Sequence, residues 1–223
     1  MNIAIDGPAG AGKSSIAKLA AQKLEFIYID TGAMYRAMAL YFIRRGIDCQ
    51  NKASVEEHCD EIDISITYEN GAQHIYLNGE DVSVGIRNEK VGNNASIVAS
   101  YGKIREKLVA LQRRMAAGSN VIMDGRDIGT VVLPDAEVKI YLTASSAIRA
   151  RRRYEELKQK GTACDLEQIE KDIILRDKQD MNREISPLCQ AEDAILLDSS
   201  DMSIDDVVQE VMRIVSRAEG DRI

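Results

Sequence analysis

The sequence predicts an α/β fold, a five-stranded parallel sheet with helices on both faces, and three observations carry that expectation. Short apolar runs alternate with segments of helical periodicity. The first run opens straight into a glycine-rich turn and an amphipathic helix. One stretch alone breaks the alternation, with a side-chain period of two. The chain has 223 residues, 45% of them hydrophobic, enough to bury one sizeable core with a small insert.

Asn2–Asp6 is the first strand candidate, and Lys13–Leu24 places Ile16, Leu19, Ala20 and Leu24 at helical spacing. Residues 26–30 read as a second strand, and a helix rich in Ala, Met and Leu follows from about 33 to 45. Residues 121–123, 138–142 and 194–197 complete the strand set. Helical segments separate these runs, which is the pattern of a parallel sheet covered on both faces. The exception lies at 62–84. Residues 62–68 alternate, 69–72 form a turn, 74–77 continue as strand, and Asn78-Gly79 supplies a second turn. This is a small antiparallel insert within one domain spanning 1–223, since only three prolines occur and no linker composition appears.

Charge narrows the partners. With 29 basic against 36 acidic residues the formal charge is −7, which disfavours a nucleic-acid polymer. No apolar run approaches the roughly 20 residues of a membrane span, and a soluble cytoplasmic protein is expected. Cys49, Cys59, Cys164 and Cys189 show no paired spacing, so reduced structural thiols are expected; His58 and His74 are the only histidines. No interface stripe is visible, which leaves a monomer as the expectation.

Gly7-Pro8-Ala9-Gly10-Ala11-Gly12-Lys13-Ser14 fits G-x-x-x-x-G-K-[ST], the P-loop, between an apolar strand and an amphipathic helix. Glycines let the backbone wrap closely enough for its N–H groups to point at phosphate oxygens, and the helix adds its positive dipole end. Lys13 reaches the β- and γ-phosphates, while the Ser14 hydroxyl can ligate Mg²⁺. The ATP-contacting set therefore runs from Gly7 through Ser14 to Ser15. The motif names the phosphoryl donor and leaves the acceptor open.

Basic residues at strand ends suggest where an acceptor sits. Arg36 lies on a helix beyond one strand end and Arg126 directly follows the strand at 121–123, positions where α/β sheets place ligands. Two such arginines can hold a phosphate dianion bidentately, although each taken alone also fits a surface ion pair. Ile169, Ile173, Arg176, Asp180 and Arg183 share one helix face, a stripe that turns from apolar to charged; an intrahelical Arg176–Asp180 pair is the alternative. A helix expected over 145–160 carries Arg149, Arg151, Arg152 and Arg153, either as anion ligands or as a solvated basic face. Arg105, beside the apolar stripe Ile104, Leu108, Leu111 and Met115, also fits an exposed position.

Three segments, Asp30-Thr31-Gly32-Ala33-Met34-Tyr35-Arg36, Asp124-Gly125-Arg126-Asp127-Ile128-Gly129-Thr130 and Arg176-Asp177-Lys178-Gln179-Asp180-Met181-Asn182-Arg183, resemble the signature segments of bacterial cytidylate kinases. The resemblance runs from the first strand to the last helix and includes the insert. It implies transfer of the γ-phosphoryl group of ATP, accompanied by Mg²⁺, to CMP and dCMP. It further implies an acceptor-binding region over about 31–118 and a lid over about 149–165. On this resemblance Thr31, Arg36, Ser96, Arg105, Arg126, Asp127, Arg176, Asp180 and Arg183 bind CMP, and Lys13, Arg126, Arg152 and Arg153 stabilise the transferring group. Asp124 is assigned to the metal's water shell, a role for which helix capping is the alternative. Ser96, Arg105 and Asp127 fall at the cytosine-reading positions. The chemistry agrees: cytosine offers an N4 donor to a carboxylate, whereas UMP, the alternative acceptor, presents O4 and leaves the anion without a donor, a mismatch of about 1–3 kcal/mol. A nucleotide phosphate with a second pKa near ~6 is already a dianion at neutral pH, so no general base is needed.

Overall fold

The computed structural model describes residues 1–69 and 72–220. In chain order the elements are β1 (Asn2–Asp6), α1 (Lys13–Leu24), β2 (Ile27–Asp30), α2 (Thr31–Arg45), α3 (Lys52–Glu57), β3 (Ile64–Glu69), β4 (Ala72–Leu77), β5 (Glu80–Asp81), α4 (Glu89–Val98), α5 (Gly102–Ala116), β6 (Val121–Gly125), β7 (Val138–Thr143), α6 (Ser146–Gln159), α7 (Leu166–Met181), β8 (Ile195–Asp198) and α8 (Ile204–Gly220). The predicted five-stranded sheet is present, in the order β2-β6-β1-β7-β8, with a separate three-stranded sheet β3-β4-β5. By contacts the chain divides into two compact units, Met1–Ile27 with Asn120–Ile223, and Tyr28–Ser119.

In the first unit β1 pairs in parallel with β6 and β7, and β7 with β8. Ile3, Ala4 and Ile5 are fully buried, as are Val121, Ile122 and Met123, because a central parallel strand is covered on both faces. The connection after β1 runs to β2 at one sheet edge and that after the adjacent β7 runs to β8 at the other, which makes the carboxyl ends of these two strands a topological switch point. Helix α8 buries Val207, Val208, Val211, Ile214 and Val215, a one-sided apolar stripe of helical period. Helix α6 stops where Gly161 turns left-handed (φ 70°), with Thr162 N–H donating to Leu157 O and Gly161 N–H to Lys158 O.

The second unit is built on α2, whose Met34, Ala37, Met38 and Phe42 have no exposed surface. Ile62 just before the antiparallel sheet, Ile75 in β4, Ile86 in the loop after the sheet, and Ile104 and Leu108 of α5 close around them. Helix α2 begins two residues earlier than periodicity alone indicates, because Asp30 caps it by accepting from Ala33 N–H at 2.9 Å. At Asn78 and Gly79 φ is 49° and 85°, the left-handed pair of a type I′ hairpin, so this expected turn is observed. The expected turn at 69–72 falls on Asn70 and Gly71, which lie outside the described residues.

Candidate active site

The phosphate loop occupies the carboxyl end of β1. A Cβ on Gly7 would stand 1.9 Å from the Leu142 carbonyl oxygen in β7, so only glycine fits there. Gly10 and Gly12 take left-handed φ values of 76° and 86°. Gly12 is the N-cap of α1, and the N–H groups that open this helix have no intrahelical acceptor, which is the donor set an anion needs. Lys13 is buried, and its Nζ donates to Pro8 O at 2.8 Å. Burial first, and then the Arg126 guanidinium, push the Lys13 ammonium well below its ordinary pKa, while Asp124, Asp6 and Asp180 oppose them. These five groups thus share one charged neighbourhood.

Ser14 and Ser15 lie exposed at the start of α1. Ser14 Oγ donates to Asp124 Oδ2 at 2.8 Å. Asp124 lies within β6 and not at a helix N-terminus, so of its two expected roles the capping one is excluded. The hydroxyl and carboxylate are hard oxygen donors and few in number. That suits Mg²⁺, which keeps most of its shell for phosphate and water.

Asp6, the last residue of β1, accepts from Ile128 N–H at 2.8 Å and Gly129 N–H at 2.7 Å, fixing the turn that follows Arg126. Burial raises its carboxyl to about 6 against the lowering effect of those two bonds. Arg126 Nε donates to Asp180 Oδ2 at 2.8 Å. Burial alone would raise Asp180, but Arg126, Arg183 and Arg176 together hold it below its ordinary value. Arg176 is half-buried on α7 and Asp127 is buried beside Arg126. Helix α7 ends at Met181, so Arg183 lies beyond the helical stripe assigned to it and instead turns back, Nε donating to Asp180 O at 3.3 Å.

The four arginines of α6 do not behave alike. Arg149 is buried and pairs with Asp177, so the solvated-face reading fails for it. Arg151 makes an exposed pair with Glu155. Arg152 donates to Ser199 Oγ at 3.1 Å and to Ser199 O, and Arg153 pairs with Glu156 at 2.8 Å. The structure therefore brings Lys13, Ser14, Asp124, Arg126, Asp180 and Arg183 together and holds Arg152 and Arg153 on other partners.

In the second unit Thr31 is buried as the first residue of α2. One turn on, Arg36 Nη1 donates to Ile86 O at 3.4 Å; Gly92 of α4 makes room for it, since a Cβ there would stand 3.0 Å from Nη1. Ser96 is half-buried on the same helix. Arg105 is 3% exposed, lies over the Tyr35 ring at 5.7 Å and donates to Ala99 O at 3.3 Å, which overturns the exposed alternative. Asp30 is fixed from three sides: Arg87 pairs with its Oδ2 at 2.8 Å, and the Gln73 side chain bonds both its N–H and its C=O.

Sequence reasoning missed Asp6 and Asp177. Each left a signal, an acid closing an otherwise apolar strand in one case, and in the other the spacing 173, 177, 180 that belongs to the inward face of α7. Among the described residues no group of three or more His, Cys, Asp or Glu could hold a metal by itself, and no helix is long and apolar enough to cross a membrane.

A family model described as Cytidylate kinase matches residues 3–217. A cytidylate kinase of Lactobacillus johnsonii is 50% identical over 219 residues, covering 98% of this chain and 95% of that one. One of Halalkalibacterium halodurans is 49% identical over 215 residues, covering 96% and 97%. Among solved structures, a gluconokinase from Sinorhizobium meliloti 1021 superposes with a TM-score of 0.50 at 13% identity, covering 98% of this chain and 94% of that one, a likeness of fold alone.

Proposed function

We propose, since this chain belongs to the cytidylate kinase family, that it is an ATP-dependent kinase transferring the γ-phosphoryl group to CMP and dCMP. The observation that carries the reading is the buried Lys13 in its glycine cradle, sharing its surroundings with Arg126 and the Asp180 carboxylate. The backbone of Gly7–Ser15 takes the donor phosphates, and Lys13 leaves Pro8 O to follow the γ-phosphate. Bound Mg²⁺ would neutralise β- and γ-oxygens, with Ser14 as its protein ligand and Asp124 holding its water.

By the family resemblance the acceptor's ligands are Arg36, Thr31 and Arg126, with Arg176 and Arg183 for phosphate and sugar, Asp180 for the ribose hydroxyls, and Ser96, Arg105 and Asp127 for cytosine. In the resting chain Arg126 and Asp180 neutralise each other, so substrate exchanges one ionic partner for another and no charge is left bare in a buried place. Arg152 and Arg153, in a lid over 149–165, give up Ser199 and Glu156 to reach the transferring group. Phosphoryl transfer then needs positioning and charge neutralisation and no general base. The chain works in the cytoplasm as a monomer, a setting that its four free cysteines suit.

The test is a panel: ATP and Mg²⁺ with CMP, dCMP, UMP and AMP, following ADP release. CMP and dCMP should lead, and Arg105→Ala or Asp127→Asn should narrow their lead over UMP. A panel led by UMP or AMP refutes the acceptor assignment.

A further inference from the structure

Ala9, in the middle of the phosphate loop, is gripped on both of its backbone polar groups by side chains far away in sequence. Asp177 Oδ1 accepts from Ala9 N–H at 3.2 Å, and Arg149 Nη1 donates to Ala9 O at 2.7 Å. The two side chains also pair with each other, Nη1 to Oδ2 at 2.7 Å, and Arg149 Nε donates to Ala144 O at 2.8 Å. Residues 149 and 177 are 6% and 8% exposed. The backbone is in close contact as well: a Cβ on Gly10 would meet Arg149 Cβ at 3.4 Å and Ile173 Cδ1 at 3.8 Å.

A buried peptide needs both a donor and an acceptor, and a buried charge needs an opposite one. An Arg–Asp pair meets both requirements at once. What it fixes is the plane of two peptides. The Pro8–Ala9 peptide has its N–H on Asp177 and its C=O on Lys13 Nζ, so the carboxylate and the phosphate-seeking ammonium hold opposite sides of one rigid unit. The Ala9–Gly10 peptide has its C=O on Arg149, which sets where the Gly10 N–H points.

We propose that Arg149 and Asp177 are positioning residues: a clamp that presets the phosphate loop for ATP and ties it to the helix pair α6–α7, with neither side chain touching a phosphate. Arg149 sits in the first turn of α6 and Asp177 in the last turns of α7, so the clamp pins the base of this pair, while the connecting turn at 160–165 lies at the far end. The lid that the kinase reading places here then begins beyond Arg149, and its base moves only by breaking the loop's own hydrogen bonds. This inference rests on that reading for the identity of the donor nucleotide.

Three variants test it: Arg149→Lys, Asp177→Asn, and the double change Arg149→Met with Asp177→Leu, which replaces the pair by apolar groups of similar volume. Affinities for ATP and for CMP are measured separately by titration calorimetry, with a thermal melt of each variant. The expected result is an ATP Kd raised at least about tenfold in each folded variant, a CMP Kd within about twofold of the parent, and a double variant no worse than the poorer single one, as for residues acting as a unit. ATP affinity unchanged in a folded variant, or ATP and CMP affinities falling in parallel, overturns the clamp. Amide exchange on the unaltered protein is the second measurement and stands if no variant folds. The Ala9 N–H should be protected with no nucleotide present, and rapid exchange there also overturns the proposal. Failure of the parent protein to phosphorylate CMP would count against the acceptor assignment only, since ATP affinity and Ala9 protection are read without it.

Discussion

The two units solve the problem of holding ligand groups in opposite ways. In the phosphate loop the candidate donors to a nucleotide are mostly backbone N–H groups, and a glycine-rich loop has little side-chain surface with which to hold itself. It is held by polar contacts across long stretches of chain: Ser14 to Asp124, Ala9 to Arg149 and Asp177, and, at the neighbouring turn, Asp6 to Ile128 and Gly129. In the other unit the candidate ligands are arginine side chains carried on helices, and the helices are fixed by an apolar core around Met34, Met38 and Phe42. Its polar contacts are shorter in sequence, such as Arg105 to Ala99. A backbone site demands a polar scaffold, whereas a side-chain site can stand on an oily one.

Four substitutions would break or sharpen that contrast. Lys13→Ala removes the cationic side chain that the loop itself carries. Its kcat should fall on the order of 10³-fold, about 4 kcal/mol of transition-state stabilisation, with the KM for CMP little changed. A modest fall would mean that backbone amides alone suffice. Phe42→Ala empties the fully buried centre of the other unit and should cost about 3–4 kcal/mol in urea unfolding; a cost under about 1 kcal/mol would show that the apolar core is not what holds its helices.

Asp6→Asn tests the polar scaffold through pH. With its carboxyl raised to about 6, folded protein keeps a proton there that the unfolded chain has released, so ν_U − ν_N is negative between pH ~4 and ~6. Stability from this group is therefore fully present below that window and lost as pH rises through it, by up to about 3 kcal/mol. The stability difference between Asp6→Asn and the parent should shift in the variant's favour by that amount from pH 4 to 6. A constant difference would mean that the two N–H bonds balance burial, and a shift in the parent's favour that they outweigh it. Glu80→Ala is the smallest: it removes an exposed partner of Arg44 in the second unit, and the urea midpoint should stay where it is.

The contrast also explains what could be read from the sequence. The phosphate loop is contiguous, so Gly7–Ser14 announces its own fold and ligand, and the parallel sheet follows from short, largely apolar runs separated by helical segments. The insert is legible because alternation at period two runs through the seven residues 62–68, and Asn78-Gly79 turns where its chemistry requires. What holds the loop was not legible, because Asp177 lies 168 residues from Ala9 and its partner is a peptide group that every residue carries. In the sequence Arg149 reads like its basic neighbours, because spacing shows which arginines share a face and not which one is buried. Arg183 reads as part of a helix face because nothing in the pattern marks the end of α7 at Met181.

The contact at Gly7 has a consequence for anyone transplanting the loop. What forbids a side chain there is the oxygen of Leu142, which belongs to an adjacent strand and would be in place with no nucleotide near. Moved alone into a foreign sheet, the eight-residue motif would lose the wall that shapes its first bend, and its register would be free to drift. The smallest portable part is the loop together with β7.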